Sequence, residues 1–266
     1  MKDAKRIPDE GRNGAGYLFA RWPQVARRIR SASHLVLFLD FDGTLTPLRP
    51  RPEDVPPLDL PTRRLLRRLA NRPQLDAYVI SGRRLADLRP RVPVPGVQLL
   101  GLYGWEGRDV PPARKERELI RRLNRVLAAR LGGMPRIWLE DKKLGIAVHY
   151  RAARPAEARA ARVIVRGALE RFKPQLHLIQ ESKAWQLLHC VVDGKDSAVR
   201  RLLGKRRRPA LSIYAGDDAA DEPAFVALPR GITVRVGKAR RTRARFYLHN
   251  PAEVLEFLRK LEAEIA

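Results

Sequence analysis

Five consecutive apolar residues, Leu35 to Leu39, interrupt a polar opening stretch and lead directly into Asp40 and Asp42. A continuous apolar run of this length, without alternation, predicts a strand buried on both faces of a parallel sheet. Comparable strands are predicted at Leu75–Ile80, Val97–Leu102, Leu211–Ala215, Ile232–Val236 and Phe246–Leu248. Between them the spacing changes to that of amphipathic helices. Leu65, Leu66 and Leu69 lie among Arg63, Arg64, Arg67 and Arg68 in a helix opening near Thr62, and Ala198, Val199, Leu202 and Leu203 share one face of another that Gly204 stops. Tyr17 to Arg30 predicts a short helix leading into the first strand. Pro47 to Pro61 reads as an irregular loop. Asn250-Pro251-Ala252-Glu253 supplies the N-cap, first-turn proline and third-position glutamate of a closing helix. Strands alternating with helices at this spacing predict a parallel sheet with crossover connections.

The middle of the chain departs from that alternation. A basic helix around Glu118 to Leu131 ends at Gly132-Gly133, and two short strands, Arg136–Glu140 and Leu144–Arg151, meet at a tight turn. A helix from Pro155 to about Phe172 precedes extended segments at Leu176–Ile179 and Ala184–Cys190. The expected fold class is therefore α/β, with a Rossmann-like parallel core and an inserted α+β cap. The expected division is an N-terminal extension and leading helix over 1–33, a core over 34–105 plus 191–266, and a cap over 106–190.

Composition narrows the class of protein. The hydrophobic fraction of 44% is ordinary for a globular chain, and no apolar run reaches the ~20 residues needed to cross a bilayer. The N-terminus is polar and Gly-rich, without the apolar stretch of a signal peptide, and a single cysteine, Cys190, excludes an internal disulfide. A soluble, cytoplasmic protein is expected. Lys and Arg total 54 against 29 Asp and Glu, a formal charge of +25. Such a surface favours weak, salt-sensitive contact with polyanions. The basic residues are nevertheless scattered, with short runs at Lys205–Arg208 and Arg240–Arg243, and neither zinc-finger spacing nor an aromatic RNA-binding signature accompanies them. An arginine-rich solvated surface is the reading preferred over a specific nucleic-acid module.

The candidate chemistry gathers at strand ends. In open α/β sheets ligands bind beyond the carboxyl ends of the strands, where Asp40 and Asp42 fall. Two acids flanking one aromatic residue, with no basic neighbour in sequence, would repel each other, and a hard divalent cation such as magnesium would resolve that repulsion. Ser81 closes the second strand and can reach the same rim. Gly216-Asp217-Asp218-Ala219-Ala220-Asp221-Glu222 is a dense acidic cluster following another strand. A solvated turn capping the next helix accounts for Asp221 and Glu222, but less well for Asp217 and Asp218. The alternative throughout is that these acids merely cap turns.

Asp40-Phe41-Asp42-Gly43-Thr44, Ser81-Gly82-Arg83, Lys195 and Gly216-Asp217-Asp218-Ala219-Ala220-Asp221 resemble, in order, the four motifs of haloacid dehalogenase-like phosphatases. The resemblance is closer to trehalose-6-phosphate phosphatases and covers roughly residues 34 to 260. It includes Leu45-Thr46-Pro47, Leu139 to Lys143, Val148-His149-Tyr150-Arg151, Tyr214 to Asp218 and Tyr247 to Val254. It implies magnesium-dependent hydrolysis of trehalose 6-phosphate to trehalose and phosphate, a step of trehalose biosynthesis. Asp40 would be the nucleophile and Asp42 the acid and base, with Ser81 and Lys195 holding the phosphoryl group. Asp40, the main-chain carbonyl of Asp42, Asp217 and Asp218 would surround Mg2+. Thr44, Gly82, Arg83, Glu140, Lys142 and Gln186 would contact substrate. The implied partner is a small sugar phosphate, with no membrane and no specific nucleic acid, and the oligomeric state is left open.

The chain departs from the family pattern at several positions, some of them where the sugar would be recognised. Tyr103 precedes Gly104 where the family usually has His, Asp196 follows Lys195 where it has Gly, and Ala220 replaces a usual Thr. Gln186-Leu187-Leu188-His189 stands where Glu-x-Arg-Pro is usual, so a sugar-binding acid becomes an amide and Leu188 replaces an arginine. Read alone, Gln186 is expected to weaken sugar binding, and Gln186→Glu to strengthen it. The same chemistry on another glycosyl phosphate is the nearest alternative. An inactive or polyanion-binding domain is the alternative of another class.

Overall fold

The buried run after residue 34 becomes the centre of a sheet. In the computed structural model the described residues are 14–107, 113–181, 183–206, 209–237 and 241–266. The polar terminus up to residue 13, and Arg207, Arg208 and Arg240 of the two basic runs, lie outside them. In chain order the first strands are β1 (Gly16–Tyr17), β2 (Leu35–Leu39), β3 (Leu75–Ile80) and β4 (Gln98–Leu100). A second group comprises β5 (Trp138–Asp141), β6 (Gly145–His149), β7 (Leu176–Glu181) and β8 (Ala184–His189). The chain then adds β9 (Leu211–Gly216), β10 (Ile232–Val236) and β11 (Phe246–Leu248). Strands β1–β4 and β9–β11 form a seven-stranded sheet, β1-β11-β10-β9-β2-β3-β4, with every pairing parallel. Strands β5–β8 form an antiparallel sheet ordered β5-β6-β8-β7.

The helices are α1 (Trp22–Arg30), α2 (Leu60–Ala70), α3 (Leu85–Arg91), α4 (Arg114–Leu131), α5 (Pro155–Arg171), α6 (Lys195–Gly204), α7 (Glu222–Ala227) and α8 (Pro251–Glu264). They explain why β2 carries no polar residue. Leu35, Leu37 and Leu39 pack with Val25 and Ile29 of α1, Leu65 and Leu69 of α2 and Phe257 and Leu261 of α8. Val36 and Phe38, on the opposite face, pack with Ala198 and Val199 of α6 and Phe225 of α7. Each of these β2 side chains, removed from water, contributes about 1.5–3 kcal/mol.

The second sheet is built differently. One face receives Leu123 and Leu127 of α4 and Val165 of α5 against Ile146, Val148, Trp185 and Leu187. Leu144 and Leu188 instead meet Leu102, Tyr103, Trp105 and Val192 at the rim of the parallel sheet. The antiparallel sheet thus has its own core and a second, smaller apolar seam against the first.

Some expected elements move. Tyr17, expected in a helix, lies in β1, paired with Tyr247 of β11, and its ring contacts Tyr247 and His249. The helix begins at Trp22 with Pro23 in its first turn. The stretch expected to lead into the core is therefore built into it. The basic helix starts at Arg114, four residues before Glu118, because the Glu116 carboxylate accepts the Ala113 N–H and satisfies the first turn. At the closing helix, Asn250 Oδ1 accepts the Glu253 N–H at 3.1 Å, as expected.

Candidate active site

The carboxyl ends of three adjacent parallel strands carry the candidate residues: Asp40 and Asp42 follow β2, Ser81 follows β3 and Asp217 follows β9. Lys195, the first residue of α6, reaches under them. Its Nζ donates to Asp40 Oδ1 at 2.6 Å and to Asp221 Oδ1 at 2.7 Å. Asp221 also accepts from Tyr214 Oη at 2.8 Å and, through Oδ2, from the Asp218 N–H at 3.0 Å. Burial works against the Lys195 cation, but the charges of Asp221 and Asp40 outweigh it and hold its pKa well above the ordinary lysine value. Burial, and after it the neighbouring carboxylates, raise the pKa values of Asp40 and Asp217, with Lys195 pulling the other way.

One carboxylate oxygen from each of Asp40, Asp217 and Asp221 lies within 4.8 Å of the others. Three hard oxygen donors whose anionic forms are mutually unfavourable fit a divalent cation. Gly43, at φ +79°, closes the turn beside them, and a Cβ there would collide with the Asp217 carboxylate. Asp218, expected in the metal set, lines the cavity and caps the Ala219 N–H, and Asp221 is the third acid among the converging oxygens. Asp221, read as part of a solvated turn, is fully buried because Lys195 and Tyr214 bind its carboxylate.

Asp42 is held from the other side. Arg83 donates from Nε and Nη2 to its two oxygens, both at 2.7 Å, from Nη1 to Asp87 Oδ2 at 2.7 Å and from Nη2 to Pro52 O at 2.8 Å. Burial would lower the guanidinium's pKa, but Asp42 and then Asp87 raise it above its usual range. Arg83, expected to contact substrate, has its fork committed to Asp42, because a bidentate pairing is its strongest option here. Ser81 is buried at the cavity wall, its Oγ accepting the Arg83 N–H at 3.1 Å. Thr44 is not a wall residue. It is fully buried, and its Oγ1 has no hydrogen-bond partner among the described residues.

An open cavity lies between the rim and the antiparallel sheet. Asp40, Asp42, Ser81, Gly82, Arg83, Lys195, Asp217 and Asp218 line it from below, and Glu140, Lys142, His149, Arg151 and Glu181 from above. Lys142 Nζ donates to Gly82 O at 2.9 Å across the gap and lies 3.8 Å from Glu140 Oε2. His149 Nε2 is 2.9 Å from the same Glu140 oxygen. Burial would raise the Glu140 pKa, but Lys142 and then His149 outweigh it and bring it down to about 2. Glu140 and Lys142 thus meet at the cavity wall. Gln186 does not. It sits in mid-strand in β8 between β6 and β7, fully buried, and its Nε2 donates to Glu181 Oε2 at 2.7 Å.

Sequence reasoning did not single out Asp221, Arg49, His149, Arg151 or Glu181, all but Asp221 at the cavity wall. Asp221 carried a usable signal, since it closes the fourth motif quoted for the resemblance. His149 and Arg151 lie within a stretch already quoted for the resemblance. Arg49, in a proline-rich loop, and Glu181, at a strand end, had no local signal.

A family model described as trehalose-phosphatase matches residues 38–251. The chain belongs to the trehalose-phosphatase family. A relative named trehalose-phosphate phosphatase in Mycobacterium marinum (strain ATCC BAA-535 / M) is 30% identical over 246 residues, covering 86% of this chain and 62% of that protein. This family member thus spans about three fifths of the length of the curated relatives it matches. Among solved structures, the Candida albicans trehalose-6-phosphate phosphatase C-terminal domain superposes with a TM-score of 0.81 at 22% identity, covering 94% of this chain and 99% of that one. A haloacid dehalogenase-like hydrolase from Bacteroides thetaiotaomicron gives 0.59 at 16% identity, covering 85% and 99%. These two likenesses establish the fold: a parallel α/β core with a second, antiparallel sheet. Among the described residues no helix is long and apolar enough to cross a membrane.

Proposed function

We propose that this member of the family is a cytoplasmic, magnesium-dependent phosphatase that converts trehalose 6-phosphate to trehalose and phosphate through an aspartyl-phosphate on Asp40. The observation that carries this reading is the buried Lys195 ammonium, 2.6 Å from Asp40 and 2.7 Å from Asp221, two of the three acids whose oxygens converge with that of Asp217. A carboxylate nucleophile aimed at an anionic phosphoryl group needs such a fixed positive charge beside it.

In the first step an Asp40 oxygen bonds to phosphorus as the bond from phosphorus to the sugar oxygen breaks. Asp42 gives its proton to that leaving oxygen. In the second, Asp42 takes a proton from water, whose oxygen bonds to phosphorus and releases Asp40 and inorganic phosphate. Arg83 holds Asp42 in place, and Ser81 and Lys195 bind the phosphoryl oxygens. Asp40, the Asp42 carbonyl and Asp217 would hold Mg2+, with Asp218 and Asp221 beside them. When bound, the ion supplies positive charge against the phosphoryl oxygens. Residues 106–190 act as the cap, covering the rim, excluding bulk water and contacting the sugar through Glu140 and Lys142.

Phosphate release measured across a panel of sugar phosphates, with and without magnesium, tests this. Trehalose 6-phosphate is expected to lead the panel at least tenfold, and a chelator to abolish release until magnesium is restored. A different glycosyl phosphate in first place would change the substrate and keep the chemistry. No release from any phosphomonoester would overturn the proposal.

A further inference from the structure

Two departures from the family pattern, Tyr103 and Gln186, converge on one carboxylate. Glu181, the last residue of β7, lines the cavity opposite the Ser81-Gly82-Arg83 turn. Tyr103 Oη donates to its Oε1 and Gln186 Nε2 donates to its Oε2, the latter at 2.7 Å. Each oxygen keeps a lone pair for a further donor.

Tyr103 is held for this contact. It has φ 59° and follows Leu102 at φ 45°, a left-handed conformation that bulky residues seldom adopt, and its N–H donates to Ser81 O at 2.9 Å. Burial, and then the Glu181 charge, raise the phenol pKa well above its ordinary value, so it remains a donor. Gly82 makes room: a Cβ there would lie 2.7 Å from Glu181 Oε1 and 2.9 Å from Tyr103 Oη. Gln186 Oε1 is buried without a partner among the described residues, so the bond to Glu181 alone sets the amide's orientation.

We propose that Glu181 is the specificity-determining residue that accepts hydrogen bonds from sugar hydroxyls, positioned by Tyr103 and Gln186. This rests on the sugar-phosphate reading above. The acid has moved from position 186 to position 181. The amide at 186 is its necessary partner, since a carboxylate there would face Glu181 at hydrogen-bonding distance and repel it. The expectation that Gln186→Glu strengthens sugar binding is thereby reversed.

The test compares kcat/KM for trehalose 6-phosphate with that for p-nitrophenyl phosphate in the full chain. Glu181→Gln is expected to lower this preference about tenfold, mostly through KM for the sugar phosphate. Tyr103→Phe is expected to raise the same KM about threefold with kcat retained. Gln186→Glu is expected to lower the preference, and the double variant Glu181→Gln, Gln186→Glu, which exchanges acid and amide, to recover to within about threefold of wild type. Glu118→Gln on the exposed face of α4 serves as the unaffected control. The double variant keeps one acid against one amide and carries the test should a single variant fail to fold. An active wild type whose preference survives Glu181→Gln, or rises in Gln186→Glu, would overturn the inference alone. Inactivity of the wild type on every phosphomonoester would overturn the phosphatase reading and this inference together.

Discussion

The two walls of the cavity are held by different means. Below, Asp40, Lys195, Asp217 and Asp221 sit at strand ends and at the start of a helix, on backbone fixed by seven parallel strands. Lys195 and Asp221 are almost completely buried and bind each other. Above, Glu140, Lys142, His149 and Glu181 come from a smaller sheet, and their positions depend on one another and on a few bonds across the gap. A group placed by the main chain cannot be changed without losing the site, whereas groups placed by mutual contact can be exchanged in sets. The lower wall accordingly keeps the charged residues of the four family motifs, while Gln186 and Leu188 depart in the antiparallel sheet above it.

The largest effect is expected at the nucleophile. Asp40→Asn is expected to reduce turnover by about four orders of magnitude or more. The fold should survive, because the Asn carbonyl can still accept from Lys195 and Asp221 still balances the ammonium. Phosphate release, trapping of the aspartyl-phosphate and thermal melting check it; turnover near wild type would remove Asp40 from the mechanism.

The upper wall should yield smaller effects concentrated in binding. Lys142→Ala removes the donor to Gly82 O and the cation beside Glu140. A hydrogen bond from a charged group is worth about 1.5–3 kcal/mol, so KM for the sugar phosphate is expected to rise roughly ten- to hundredfold. Steady-state kinetics with kcat and KM separated will tell. A loss confined to kcat would place Lys142 in the lower wall's chemistry instead.

Acid sensitivity sharpens the contrast further. The Glu140 pKa falls on folding from its ordinary 4.5 to about 2, so its contribution to stability is complete above about pH 5 and is lost as pH falls from 4.5 towards 2. Because the side chain is 37% exposed, that contribution is at most about 1 kcal/mol. The melting difference between wild type and Glu140→Gln should accordingly vanish as pH falls towards 2. A difference that persists at low pH would show that charge is not its origin.

The smallest expected effect is beside the cavity, where Arg51, between the wall residues Pro50 and Pro52, lies over the Trp138 ring at 5.9 Å. An exposed contact of this kind is worth about 0.5–1 kcal/mol, so Arg51→Ala should raise KM less than about fivefold with kcat unchanged. An effect as large as that of Lys142→Ala would mean that the loop, rather than the antiparallel sheet, governs access.

Much of this protein was legible one segment at a time. The apolar run of β2, the arginine-studded face of α2 and the Asn250 cap are local patterns, and local steric and burial rules are enough to read them. Asp40, Asp42, Ser81 and Asp217 were legible for the same reason, since the end of a parallel strand is where the rim must be. What the sequence could not settle were pairings between distant segments. Asp40 and Asp42 looked unbalanced until the fold brought Lys195, 155 positions away, to one and Arg83, 41 positions away, to the other. Tyr17 looked helical until β11 offered it a parallel partner 230 positions on. Gln186 looked like a weakened ligand until β7 set Glu181 beside it. A residue's intrinsic chemistry travels with the sequence, but its partner, and therefore its charge state and its task, exists only once the chain has closed.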